Sequence, residues 1–143
     1  MPFEVVWEPE ARLLTSRLTG TVTVDEVERW IAALDERLAR IPDGTDIVLL
    51  SNLHGYEPAD LDAHKRMRDV IPTRLAAMGW RTGLVDIVGG DLAVETEPRL
   101  TCSKVAHVHH DAAKMAAYQA QAGSPTERFF SALAPACEWL IFD

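Results

Sequence analysis

The sequence predicts an α/β domain: a mixed, mostly parallel sheet whose strands are joined by crossover helices. Three observations predict it. Phe3, Val5 and Trp7 alternate with Glu4, Val6 and Glu8, and a second run follows the turn at Pro9-Glu10, so the chain opens with a hairpin. Asp46 to Leu53 is apolar on both faces through Leu50, the pattern of a central parallel strand covered on both sides. After the hairpin, strand-like and helix-like periods alternate to the end of the chain, as crossover units require.

The first strand covers Phe3 to Glu8 and the second Arg12 to Thr19, ending at Gly20. Thr23-Val-Asp-Glu26 reads as a capping box, with Val22 and Val27 as its hydrophobic staple. Val24, Val27, Ile31, Leu34, Leu38 and Ile41 then form one apolar stripe of a helix. Asp25–Arg29 and Glu36–Arg40 are acid-before-base pairs on its wet side. Pro42, Asp43 and Gly44 stop it before the central strand. Pro58 and Asp60 open a second helix, with Leu61, His64, Met67, Ile71, Leu75 and Met78 on one face. Pro72 falls inside that pattern and predicts a kink or break near Val70.

Between Trp80 and Thr101 the pattern fits an insertion. Gly83 to Val88 reads equally as strand or helical extension, and Gly89, Gly90 and Pro98 mark loop. Lys104 to His109 is the next strand. Asp111 caps a helix running to Ala122 and ended by Gly123. Glu127 to Phe130 is a short strand, and a last helix carries Leu133, Cys137 and Leu140. The expected order is ββαβα(insertion)βαβα in a single domain over residues 1–143.

At 143 residues the chain is long enough for one self-sufficient core. The net charge of −8 repels phosphate backbones, so nucleic acid is not an expected partner. No apolar run, Ile47 to Leu50 included, approaches the roughly 20 residues of a membrane span. Glu4, Glu8 and Glu10 break any signal-peptide pattern, which points to the cytoplasm; peripheral membrane contact stays open. Cys102 and Cys137 stand apart without metal or redox spacing, as reduced thiols do. Val6 and Trp7 on opposite faces of the first strand, with Trp30, Trp80 and Trp139 expected to be only partly buried, point to a homodimer.

Three segments carry a family resemblance. The first is Asp46-Ile-Val-Leu-Leu-Ser-Asn-Leu53 with Gly55-Tyr56 and the helix after it. The second is Val105-Ala-His-Val108, and the third Arg128-Phe-Phe130 followed by Ala136-Cys-Glu-Trp-Leu140. In this order they resemble the SpoIIAA-like (STAS-domain) family, in its uncharacterised SpoIIAA-like branch, over most of the chain except Trp80 to Thr101. The resemblance implies the fold already read from periodicity. It also implies that apolar ligands or membrane approach belong to some relatives. Anti-sigma-factor antagonists of this fold carry a phosphorylatable Ser at the start of the helix after the central strand. Here that stretch is Glu57-Pro-Ala-Asp-Leu-Asp62, without Ser or Thr, and Ser51 comes earlier, inside the strand end, so no phospho-switch is expected.

The five histidines fall in two places, His54 and His64 around the central strand's end and His107, His109 and His110 at the end of a later strand. In a parallel sheet the carboxyl ends of neighbouring strands form the crevice where ligands bind. His54, Tyr56, His64, His109, His110, Asp111 and Lys114 are therefore the candidate ligand-binding residues. Two helix N-termini there would favour an anionic group.

Plainer roles stand beside these. His64 lies on an apolar stripe and Asp111 is first a helix cap. His107 packs on its strand face, while Lys114 is solvated, as is the Lys65, Arg66 and Arg68 patch. Met67, Met78 and Met115 belong to the core. His-x-His-His-Asp has metal-ligand chemistry, but His110 points away from His107 and His109, so no metal site is expected. No nucleophile elbow, phosphate loop or dinucleotide fingerprint occurs.

The expected function is a non-catalytic binding or regulatory domain, holding a small apolar or anionic ligand or a protein partner at the carboxyl edge of the sheet. The alternative is a small enzyme with His54 or His109 as general base, with or without a metal; cofactors stay unassigned. Pro72 to Thr101, with Gly79, Gly83, Gly89 and Gly90, is expected to be the most mobile part. It should pack as a lid or arm over the edge bearing His54 and His109, or onto a partner subunit.

Overall fold

Two strands, β1 (Phe3–Glu8) and β2 (Leu13–Leu18), form the expected antiparallel hairpin. The fold is described from a computed structural model covering residues 1–88 and 92–142, so the expectations for Gly89 and Gly90 lie outside the described residues. A short β3 (Gly20–Val22) leads into helix α1 (Val24–Arg40). The capping box forms as read: Glu26 N–H donates to Thr23 Oγ1 at 3.2 Å, and Thr23 N–H donates to Glu26 Oε1 at 3.0 Å.

The chain continues through β4 (Asp46–Asn52), β5 (Tyr56–Pro58), α2 (Leu61–Arg68) and α3 (Val70–Ala77). It ends through α4 (Leu84–Val88), β6 (Thr101–Val108), α5 (Ala112–Ala122), β7 (Glu127–Phe130) and α6 (Leu133–Phe142). The main sheet has the order β1-β2-β4-β6-β7, with every pair after the hairpin parallel. β4 sits at its centre. Leu49 and Val105 face the core beneath α1, α2 and α3, while Leu50, Ala106 and Val108 pack against Ala136, Trp139 and Leu140 of α6. Cover on both faces is why β4 lacks polar alternation.

Several expectations are corrected. Pro58 does not open a helix. It closes β5, which pairs in parallel with β3 as a separate two-stranded ribbon. The helix opens at Asp60, whose Oδ1 accepts the Ala63 N–H at 2.8 Å. Gly20 and Gly55 make the ribbon's entry, both at positive φ (73° and 84°), with Gly20 N–H donating to Gly55 O at 2.8 Å. The break expected near Val70 does form: α2 ends at Arg68 and Pro72 is the third residue of α3, where a helix has no use for its N–H. Gly83 to Val88 contains a short helix and no strand.

Trp30 and Trp139 are fully buried rather than partly exposed. Trp30 lies beside Ile31 on a stripe wider than the one read from the sequence, and its Nε1–H donates to Ser16 Oγ at 2.8 Å. Trp80 is half-buried, donating to Cys102 O at 3.0 Å. These aromatics therefore offer no exposed patch for a dimer. Leu61, placed on the buried face from sequence, is 64% exposed at the start of α2.

The segment before β6 is not one loose arm. Arg99 donates to Ile41 O and Leu38 O, both at 2.6 Å, and to Asp43 Oδ1 at 2.8 Å. It thus satisfies carbonyls at the C-terminus of α1, where a cation is favoured. Leu92 and Val94 pack on the core and Leu100 is buried. Among the described residues, no helix is long and apolar enough to cross a membrane.

Candidate functional site

Parallel β4 and β6 bring two carboxyl ends together, and their odd-numbered side chains face the layer of α1, α2 and α3. One row across the sheet is polar where a core row is usually apolar. Ser16, Ser51, His107 and Phe129 are direct neighbours on β2, β4, β6 and β7, and all four are buried. Leu53 and His109 follow beyond this row.

Two cavities lie over these rows. The inner one, about 140 Å³, has Ser51, His107 and Phe129 in its lining together with Trp30 of α1 and Ile71 of α3. Leu84, Ile87 and Val88 of α4 cover it, and Met115 and Tyr118 of α5 close a side. The outer one, about 470 Å³, is lined by Tyr56, Pro58, Asp60 and Leu61. Leu53, His64, Met67, His109 and Lys114 border both. The position is the carboxyl-edge crevice that parallel sheets use for ligands.

Of the seven candidate residues, four converge. His109 faces both cavities, and its Nδ1 accepts the Asp111 N–H at 3.0 Å. That bond assigns the ring proton to Nε2. Burial, with help from the neighbouring His110 and Lys114, pushes its pKa down to about 4, so the ring is neutral at pH 7. His64 is half-buried on both cavities rather than sealed in the core. Lys114 is exposed at the same border and pairs with no carboxylate among the described residues. Tyr56 lines the outer cavity. Its hydroxyl is buried with no hydrogen-bond partner among the described residues, and burial raises its pKa to about 12.

The other three stand apart. His110 Nδ1 accepts the Gly55 N–H at 3.0 Å, and its ring meets His54 edge-on at 5.8 Å. Neither His54 nor His110 lines either cavity, but His110 does not point away from His109 as the sequence suggested: both lie beyond the end of β6 and their rings stack at 4.2 Å. Asp111 caps α5, accepting the Lys114 N–H at 3.0 Å. In the basic patch, Arg66 pairs with Glu28 of α1, whereas Arg68 borders the inner cavity. Among the described residues, no group of three His, Cys, Asp or Glu side chains is placed to hold a metal ion.

Sequence reasoning missed Glu127. It is 1% exposed, and its Oε2 meets His107 Nε2 at 2.8 Å and accepts the Leu84 N–H of α4 at 3.2 Å. A side-chain carbon on Gly83 would collide with this carboxylate, and Gly83 has φ +72°, so two constraints demand glycine there. His107, read as a packing residue, does stack on Phe129 at 4.6 Å and also lines the inner cavity. The available signal was Glu127 alternating with Phe129 on a buried strand, an acid on an apolar face.

No protein-family model matches the chain, and no curated protein matches it. Among solved structures, it is similar to an uncharacterized protein from the DUF3478 family with a SpoIIAA-like fold, from Shewanella loihica PV-4. The two share 14% sequence identity with a TM-score of 0.55, over 96% of this chain and 91% of that one. At that identity the likeness shows the fold, and the fold is SpoIIAA-like.

Proposed function

We propose that this SpoIIAA-like chain is a non-catalytic binding domain for a small ligand with an apolar body and an anionic or hydrogen-bonding end. The observation that carries it is the pair of neighbouring cavities at the carboxyl edge, with His64, His109 and Lys114 in the lining of both. The inner volume of about 140 Å³ is close to the engineered apolar cavity of ~150 Å³ that binds benzene. The outer cavity falls within the roughly 300–1,000 Å³ of ordinary small-molecule sites.

Catalysis is less well supported. A base with a pKa of about 4 is a weak proton acceptor near neutrality, so His109 suits hydrogen bonding better than general-base work. His54 lies outside both cavities. Two unpaired cysteines suit the cytoplasm. A homodimer would use the edge strand β1, where Val6 is 37% exposed, and light scattering at micromolar concentration tests it.

Native mass spectrometry of freshly purified protein, with thermal unfolding against short-chain and aromatic acids, tests the binding role. At ten times Kd a ligand adds about 1.4 kcal/mol of stability. That shift should disappear in Ile87→Trp, which fills the inner cavity from α4. No co-purified ligand and no shift across the panel would refute the small-ligand role.

A further inference from the structure

The binding site has a direction, written in two of its three cavity-facing histidines, His107 and His109. Glu127 Oε2 accepts the Leu84 N–H, so it is an acceptor oxygen, and the proton it shares with His107 belongs to the imidazole Nε2. In the neutral ring that leaves Nδ1 of His107 with a lone pair, on a side chain lining the inner cavity. Nδ1 has no hydrogen-bond partner among the described residues. His107 therefore calls for a donor.

His109 is the opposite. Its Nδ1 is occupied by the Asp111 N–H, so its Nε2 carries a proton and calls for an acceptor. Lys114 stands at the same border with no carboxylate partner among the described residues, and Tyr56, whose buried hydroxyl has no partner among the described residues, lines the adjoining cavity. Asp60, across that cavity, has Oδ1 engaged by the Ala63 N–H.

His107 lines the inner cavity, whereas His109, one residue past the end of β6, borders both cavities. The inner cavity is ring-sized and largely apolar. We infer that the site is built for an aromatic hydroxy acid. The ring lies in the inner cavity, the hydroxyl donates to His107 Nδ1, and the carboxylate accepts from His109 Nε2–H and Lys114. This inference rests on the proposed binding role and assigns it a chemical class. Glu127 acts as a positioning residue, holding His107 in the acceptor tautomer while tying α4 over the ring.

The test uses wild-type chain in two measurements. Long-range ¹H–¹⁵N correlation spectra of ¹⁵N-histidine protein at pH 7 should show a bare Nδ1 on His107 and a protonated Nε2 on both His107 and His109. A proton on His107 Nδ1 overturns the inference. Calorimetric titrations then compare 4-hydroxyphenylacetate, phenylacetate and the methyl ester of 4-hydroxyphenylacetate. The hydroxy acid should bind about tenfold or more tighter than either analogue, each of which lacks one matched hydrogen bond or charge. Equal affinity for phenylacetate removes the donor assignment, and equal affinity for the ester removes the anion assignment. If none of the three binds, benzene separates the failures. Benzene entering the inner cavity would sink only the hydroxy-acid class, and benzene excluded would sink the binding role with it.

Discussion

Glu127 holds together more of the site than any other side chain, because one buried oxygen serves both His107 on the sheet and Leu84 on the cover. Removing a buried acceptor leaves its donors unsatisfied, at a cost of about 1–3 kcal/mol each. Glu127→Ala should lose stability on that scale in urea unfolding. Gly83→Ala should cost more than 1 kcal/mol, since it meets both positive φ and the Glu127 carboxylate. His109 makes a pH prediction. Its folded pKa of about 4 lies below the ordinary value of 6.5, so the unfolded chain binds the extra proton between those limits. Stability is therefore full above pH 6.5 and falls as the pH drops to 4. Urea midpoints of wild type and His109→Gln, followed from pH 7 to 4, should show the wild type losing more. Parallel curves would contradict it.

At the scale of elements, local signals were legible and long-range ones were not. The capping box of α1 lies within four residues, and Thr23→Ala should cost about 1 kcal/mol by thermal unfolding. Break and cap residues at Pro72, Asp111 and Gly123 were readable for the same reason. The β3–β5 ribbon escaped because its strands have three residues each and exist only through pairing across more than 30 positions. Strand parity does not reach His54 and His110, because both lie beyond the ends of β4 and β6. The sequence could not reveal that Leu84, His107 and Glu127 meet. The insertion divides into two behaviours. Its C-terminal part is fastened to α1 by Arg99, whereas α4 has five residues and one buried side chain. Hydrogen exchange at 84–88 should open faster than in α1. Arg99→Ala should cost about 1–3 kcal/mol through its lost hydrogen bonds to the α1 carbonyls.

Across the whole molecule, the parallel order β2-β4-β6-β7 sets the crevice, and the right periodicities already pointed to that edge. Convergence there of His64, His109, Lys114 and Tyr56 depends on packing, which no single segment encodes. The methionines provide the most direct measurement of the central claim, that the inner cavity is a binding site. Met67 and Met115 line it, Met78 is buried elsewhere in the core, and Met1 is exposed. Protein labelled with ¹³C at the methionine methyl groups, titrated with benzene, should show saturable shifts at Met67 and Met115 while Met78 and Met1 stay in place. Static Met67 and Met115 resonances, or four methyl groups drifting together without saturation, would contradict a binding cavity at the carboxyl edge of this sheet.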